Sequence, residues 1–190
     1  MFQDIFNLVL DTVGSLYLIV ILMRFILQYS RADFYNPISQ FIAKATNPVL
    51  IPLRKVIPGW GGLDIASLVL AFLFQSLIIF LKVLISGVVL GDILGLFAVS
   101  VVLILGMMLK IYFWSLLVMI IASWIAPGSG HPALVLINQI CEPAMRPFRN
   151  LLPPMGGLDL SPILLFLVLQ VLAVIVNHLA SGFGIGFSLM

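Results

Sequence analysis

The stretch NPVLIPLRKVIPGWGGLD, at residues 47–64, occurs twice in this chain, because residues 142–159 read EPAMRPFRNLLPPMGGLD. The two stretches align without a gap at an offset of 95 positions. The same offset holds outside the motif for these pairs: Tyr17 and Tyr112, Pro37 and Pro132, Gln75 and Gln170, and Gly87 and Gly182. A unit of this length is too long for a solenoid repeat. We therefore predict two tandem copies of one unit, residues 1–95 and 96–190.

The composition indicates a lipid environment. Hydrophobic residues make up 63% of the 190 residues, charged residues only 8%, and the mean hydropathy is +1.26. In soluble domains about a quarter of the residues are charged. We therefore predict an integral membrane protein. The net charge of +2 says little about the partners of such a chain, and we expect no nucleic-acid partner. The single cysteine, Cys141, excludes an internal disulfide and every Cys-x-x-Cys motif.

Four apolar stretches have the length of membrane-spanning helices, which need roughly 20 residues. They lie at about residues 8–29, 65–86, 103–124 and 160–179. The third boundary is the least defined, because residues 93–125 are almost continuously apolar. Alignment with the first span leaves residues 93–102 as an extension, a tilted part or a short interfacial piece. The N-terminus has no basic segment and no small-residue cleavage site, so we do not expect a signal peptide.

Two proline-rich connectors, residues 30–63 and 126–158, separate the spans within each copy. In the first connector, residues 37–45 have apolar side chains at helical spacing, which predicts a short amphipathic helix at the membrane interface. Residues 49–57 are apolar around Arg54 and Lys55, and we expect the prolines to forbid a long regular helix. A re-entrant loop is the alternative, tolerated only if protein or water covers its backbone groups.

The end of each connector predicts a turn followed by a helix. Gly61 and Gly62 can adopt the positive φ angles of a tight turn. Asp64 and Asp159 come next, and we predict that their carboxylates cap the following helices, where free N–H groups and the helix dipole favour negative charge.

These elements predict an all-α membrane protein of four transmembrane helices, with amphipathic interfacial helices in both connectors. The four helices form two parallel two-helix repeats, which we expect to be related by a pseudo-twofold axis. Basic residues concentrate on the connector side, which by the positive-inside rule places both connectors in the cytoplasm and both termini outside. The cations of that side are Arg31, Lys44, Arg54, Lys55, Arg146 and Arg149. Lys82 and Lys110 lie towards the other side.

No catalytic or metal-binding constellation is visible. His131 and His178 fall on opposite sides in this topology, and the sequence has neither a phosphate-binding glycine loop nor a ligand cluster. We expect no enzyme activity, no cofactor and no bound metal.

Two sets of polar residues stand out, a pair of glutamines and four basic connector residues. Gln75 and Gln170 occupy matching positions near the bilayer middle, where an interhelical hydrogen bond is favoured over a polar constriction in a pathway. The basic connector residues could bind lipid phosphates or dock a partner, and the sequence leaves both options open. These basic residues are Arg54, Lys55, Arg146 and Arg149.

Other charges in the spans have simpler explanations. Arg24 and Lys82 lie near helix ends, so we expect their side chains to reach the headgroups. For Lys110 the same behaviour is favoured over an intramembrane pairing with Asp11.

The duplicated two-span unit, with its NPxLxPLRxxIP connector and GGLD turn, resembles the YggT/YlmG family of small bacterial and plastid membrane proteins. The second copy departs from the pattern by placing Glu142 where the first has Asn47, and Pro154 where it has Gly59. The resemblance rests on Asn47, Pro48, Pro52, Arg54, Pro58 and residues 61–64, and on Pro143, Pro147, Arg149, Pro153 and residues 156–159.

The resemblance implies an inner-membrane protein. Family members have been associated with osmotic stress tolerance and ion homeostasis, with cell division or nucleoid organisation, and with assembly of a chloroplast cytochrome complex. These roles suggest a non-enzymatic scaffold or assembly factor in osmotic or envelope stress, acting through the connectors. The alternative is a channel or transporter component with a polar mid-membrane path. The expected partners are membrane lipids and other membrane proteins, with a homo-oligomer as a further option.

Overall fold

The computed structural model describes residues 2–86, 93–151 and 159–183, and this part of the chain is all-helical, with no strand. Predictions for Gly87, Pro153, Pro154 and residues 156–158 therefore lie outside the described residues. The helices are α1 (Phe2–Tyr29), α2 (Pro37–Val56), α3 (Ile65–Ser86), α4 (Ile93–Ile125), α5 (Pro132–Leu151) and α6 (Ser161–Ser181).

Helices α1, α3, α4 and α6 are long and apolar enough to cross a membrane, which confirms the four predicted spans. The chain is thus a multi-pass membrane protein. Helix α1 begins at Phe2 rather than near residue 8. Helix α4 is one unbroken helix of 33 residues, so residues 93–102 extend the third span.

Helix α2 corrects the prediction that prolines would prevent a long helix in the connector, since its 20 residues run through Pro48 and Pro52. A proline inside a helix removes one hydrogen bond and crowds the preceding turn. Both prolines are exposed, so the disturbed backbone lies on the outer side of the helix. On the inner side, the packing of Leu50 and Thr46, both fully buried, offsets that cost. Helix α5 likewise continues through Pro143 and Pro147.

The spans pack as two pairs, α1 on α3 and α4 on α6, which meet where α3 lies against α4. Helix α2 packs on α1 and α3, helix α5 on α4 and α6, and α2 touches α5. The centre of the first half is formed by Ile21, Leu22, Ile26 and Leu50, which are completely buried.

This packing departs from the predicted pseudo-twofold axis. Twofold symmetry would require α6 to pack on α1 as α3 packs on α4, and among the described residues it does not. One contact of the α3–α4 pair shows why: Ser76 Oγ donates to Ser100 Oγ at 2.9 Å, and Val171 stands in α6 at the position matching Ser76.

The turn between α2 and α3 has the geometry expected from its glycines. Gly61 and Gly62 have φ angles of 60° and 83°. The flanking residues close the turn with two backbone hydrogen bonds, from Leu63 N–H to the Trp60 carbonyl at 2.9 Å and from Trp60 N–H to the Leu63 carbonyl at 3.2 Å. The turn brings Asp64 back beside the end of α2.

Candidate functional site

Arg54 and Asp64 form a two-point ion pair that joins α2 to α3. Arg54 donates from Nη2 to Asp64 Oδ2 at 2.5 Å and from Nε to Oδ1 at 3.3 Å. Arg54 Nη2 also donates to Gln28 Oε1 at 3.2 Å, which ties in α1. The Asp64 side chain is only 2% exposed. The Arg54 guanidinium is therefore engaged with protein groups rather than directed at a lipid phosphate.

The surroundings of Asp64 favour its ionised form. Burial alone would raise the pKa of this carboxyl, but hydrogen bonds from Arg54 and Ser67, together with the charge on Arg54, lower the pKa below its ordinary value. Asp64 directly precedes α3 and accepts from Ser67 Oγ, while its backbone carbonyl accepts from the Ser67 and Leu68 N–H groups. It thus stands at the predicted start of the helix.

The matching pair in the second copy lies at the surface. Arg149 donates from Nη1 to Glu142 Oε2 at 2.6 Å and from Nε to Asp159 Oδ2 at 3.1 Å. Glu142, which replaces the asparagine of the first copy, supplies this additional carboxylate. The three side chains are 41–53% exposed. Burial would lower the pKa of Arg149, but the two carboxylates raise it on balance.

Asp159 lies one residue before the N-cap of α6, whereas we predicted that it is the N-cap residue itself. The N-cap residue is Leu160, and Asp159 Oδ1 accepts from the Ser161 N–H at 2.9 Å. Burial would raise the pKa of Asp159, but the hydrogen bonds from Ser161 and Arg149 lower it overall.

The remaining basic candidates point away from the bundle. On α2, Lys55 is exposed together with Lys44, on the side opposite the buried Ile42, Thr46 and Leu50. On α5, Arg146 is exposed in a polar stripe on the side opposite the buried Leu136, Ile140 and Met145. The stripe consists of Asn138, Glu142, Arg146 and Arg149. Lys55 and Arg146 have no ion-pair partner among the described residues.

The two connector helices are joined by hydrogen bonds at their N-terminal ends. Asn36 Nδ2 donates to the Pro132 carbonyl at 2.7 Å, and the Asp33 N–H donates to Gln139 Oε1 at 2.9 Å. These bonds link α2 to α5, and we call the outward sides of the two helices the connector surface. It consists of Lys44, Lys55, Asn138, Glu142, Arg146 and Arg149.

The two glutamines are not brought together. Gln170 is exposed on α6, whereas Gln75 is half-buried on α3, and no hydrogen bond joins them. An offset of fixed length places both residues at equal depth. The offset does not determine which side of each helix is covered by a neighbouring helix. The side of α3 that carries Gln75 faces α1 and α4, whereas the side of α6 that carries Gln170 is exposed.

Gln75 instead lines a polar cavity of about 230 Å³ between α1, α3 and α4. Asp11, Ser15 and Lys110 line the same cavity. Lys82 donates to Asp11 at 2.7 Å. The Lys82 side chain, which we expected to reach the headgroups, therefore forms an ion pair with α1. The sequence contained a usable signal, since Asp11 and Lys82 are opposite charges near the same end of two spans joined by one connector.

The cavity does not continue towards the connectors. Its lining on α1 ends at Leu18, and the next inward-facing residues, Ile21 and Leu22, are completely buried. Any polar path through this region would require these apolar side chains to move.

No group of His, Cys, Asp and Glu within residues 2–86, 93–151 and 159–183 could hold a metal ion. Cys141 is 1% exposed, and burial together with Glu142 raises the pKa of its thiol to about 12. The thiol is therefore inert in the folded protein.

Comparison with known proteins identifies relatives over nearly the whole chain. The profile of the CCB3/YggT family matches residues 3–85 and again residues 98–180. An uncharacterized protein of Pseudomonas aeruginosa is 51% identical over 178 residues, covering 93% of this chain and 90% of that protein. The uncharacterized protein YggT of Escherichia coli K12 is 41% identical over 163 residues, covering 86% and 84%.

A plastid relative matches a shorter region. YlmG homolog protein 2, chloroplastic, of Arabidopsis thaliana is 46% identical over 63 residues, which is 33% of this chain and 24% of that protein. No solved structure matches. With a family profile that covers both halves and bacterial relatives aligned along most of their length, this chain belongs to the CCB3/YggT family, the YggT/YlmG proteins.

Proposed function

We propose that this protein is a non-enzymatic scaffold or assembly factor of the bacterial inner membrane that acts in adaptation to osmotic or envelope stress. The observation that carries the proposal is the connector surface. Helices α2 and α5 are linked at one end of the bundle, and their outward sides carry Lys44, Lys55 and Arg146, which have no ion-pair partner within residues 2–86, 93–151 and 159–183. A surface of this kind suits a protein partner or a charged lipid surface.

Orientation follows from charge in this proposal. The connector side holds six cations, namely Arg31, Lys44, Arg54, Lys55, Arg146 and Arg149, which by the positive-inside rule places α2 and α5 in the cytoplasm and both termini outside. The two halves act as tandem repeats, each contributing one amphipathic connector helix. The expected partners are membrane lipids and other membrane proteins, including further copies of this chain.

The structure changes which basic residues should be tested. Arg54 holds α2 against α3, so replacing it would disturb the fold as well as any docking. Lys44, Lys55 and Arg146 are exposed and can be changed without loss of an internal contact. They are the residues that distinguish a docking surface from a structural one.

The test is complementation of a deletion strain under high osmolarity with Lys44→Glu, Lys55→Glu and Arg146→Glu combined. We expect loss of complementation at unchanged protein level in the membrane, because charge reversal opposes docking of the same partner. The matched control is Lys44→Arg, Lys55→Arg and Arg146→Lys, which keeps the charge. Full complementation by the charge-reversed protein would contradict the scaffold proposal.

A second function, ion passage, is favoured by the polar cavity beside Gln75. Asp11, Lys82 and Lys110 are costly inside a bilayer and are typical of ion or proton paths. We rank this function second because Leu18, Ile21 and Leu22 close the cavity towards the connectors. A regulated opening of that apolar layer would be needed for transport.

Potassium and sodium flux in proteoliposomes tests the second function. If ions pass, Gln75→Leu should abolish the flux while Gln170→Leu preserves it, because only Gln75 lines the cavity. Equal loss in both variants would contradict a path through the cavity. Absence of flux from folded, inserted protein would leave the connector surface as the working part.

A further inference from the structure

A second cavity, of about 370 Å³, lies between the C-terminal end of α1 and the first turn of α2. Its polar lining comes from Arg24, Gln28, Arg31 and Ser39. At the end of α1, this cavity lies at the level of the lipid headgroups in the proposed orientation. It is separate from the connector surface and from the cavity beside Gln75.

Two donors that line this cavity lack an acceptor among the described residues. Arg24 Nε and Ser39 Oγ are buried, and neither has a hydrogen-bond partner among the described residues. Ser39 is only 4% exposed. Buried polar groups nearly always have a hydrogen-bond partner, so such groups call for a ligand or water. The buried carboxylate of Asp64 is already engaged by Arg54 and Ser67.

The backbone also favours an anion at this place. Ser39 lies in the first turn of α2, where the helix dipole favours negative charge. Arg31 ends α1 in the left-handed conformation, with φ 50°, at a position where glycine is usual. This conformation is strained for an arginine, and such strain is found where a side chain has a function.

The second half of the chain contains the same cavity without the charges. Every residue that lines the first cavity has its counterpart, at the constant offset, lining a cavity of about 270 Å³ beside α4 and α5. There Met119 replaces Arg24, Ala126 replaces Arg31 and Leu134 replaces Ser39. The fold therefore builds this cavity without charged side chains, and the arginines of the first copy are not needed to shape it.

We infer that the cavity between α1 and α2 binds a phosphate group through Arg24, Arg31, Gln28 and Ser39. Two guanidinium groups, an amide and a hydroxyl offer convergent donors to the several oxygens of a phosphate, and hydrogen bonds between charged partners are the strongest of this kind. The same chemistry would hold the headgroup of an anionic phospholipid or a soluble phosphate compound. This inference does not depend on the proposed scaffold function.

The test uses the whole protein and a variant that borrows the residues of the second copy, Arg24→Met with Arg31→Ala. Native mass spectrometry would count bound phosphatidylglycerol, and thermal unfolding would be followed with added inorganic phosphate. We expect the variant to bind about tenfold more weakly or worse, because two charged contacts are lost. The matched control is Lys44→Ala with Lys55→Ala, which removes equal charge from the outer side of α2.

The outcomes separate the sources of the phosphate. Retention of phosphatidylglycerol by wild type and control but not by the variant identifies a lipid site, whereas stabilisation by inorganic phosphate with the same pattern identifies a soluble ligand. Equal binding by all three proteins, or equal loss in variant and control, would overturn the inference. If the double variant does not fold, Ser39→Leu provides the second probe and should weaken binding in the same assay.

Discussion

The Arg54–Asp64 pair and the Arg149–Asp159 pair are matched in sequence but differ in burial. We expect Asp64→Asn to lower the free energy of unfolding by about 3 kcal/mol, because it leaves Arg54 opposite a neutral amide in a buried site. Asp159→Asn should cost about 1 kcal/mol or less, because that pair is exposed and Arg149 keeps Glu142. Unfolding by dodecyl sulfate in mixed micelles would measure both. Equal losses would show that the first pair is not buried as described.

The same pair predicts a pH dependence. Because the folded protein lowers the pKa of Asp64 below its ordinary value of 3.8, its contribution is complete well above pH 4 and is lost as the pH falls through the folded pKa. Wild type should therefore lose more stability than Asp64→Asn between pH 5 and about pH 3. Parallel curves for the two proteins would contradict this assignment.

Cys141 should resist thiol reagents in the native protein. Its thiol is buried, and a pKa of about 12 leaves almost no thiolate at neutral pH. We expect maleimide to label it roughly a hundredfold more slowly than a cysteine introduced at the exposed Tyr35. Fast labelling without detergent denaturation would show that α5 separates readily from α4 and α6.

At the scale of elements, the turn between α2 and α3 depends on the positive φ of its glycines. Gly62→Ala places a side chain at φ 83° and should lower the free energy of unfolding by about 1–2 kcal/mol. Gly130→Ala is the control, since Gly130 has no positive φ and no atom within 4 Å of the added methyl group. An equal effect of both changes would place the strain elsewhere.

The sequence was sufficient to predict the helical spans, because length and hydropathy alone determine which segments can cross a bilayer. The sequence led to a wrong prediction for α2. Prolines usually interrupt a helix, but here the burial of Leu50 and Thr46 offsets their cost and the helix continues. The sequence also could not predict the neighbours of the two glutamines, because equal depth in the membrane does not determine which helix faces each side chain. Similarly, the cavity with Arg24 became visible only when α1 and α2 were placed together.

The orientation of the whole molecule can be measured with cysteines at its two ends. Tyr35→Cys lies beside the connector helices, and Phe183→Cys follows α6 at the opposite end of the bundle. In intact cells with a permeable outer membrane, an impermeant maleimide should label Phe183→Cys and spare Tyr35→Cys until the inner membrane is opened. The reverse pattern would place the connectors outside.

The length of α4 sets it apart from the other spans. Its 33 residues measure about 50 Å, against a hydrocarbon core of about 30 Å, and its extension at residues 93–102 is too apolar to stand in water. Swelling of a cell stretches and thins its membrane, and a thinner bilayer increases the cost of accommodating an overlong helix. The hydrogen bond between Ser100 and Ser76 joins α4 to the middle of α3. A thinner bilayer would therefore act first on α4, and through this hydrogen bond on α3.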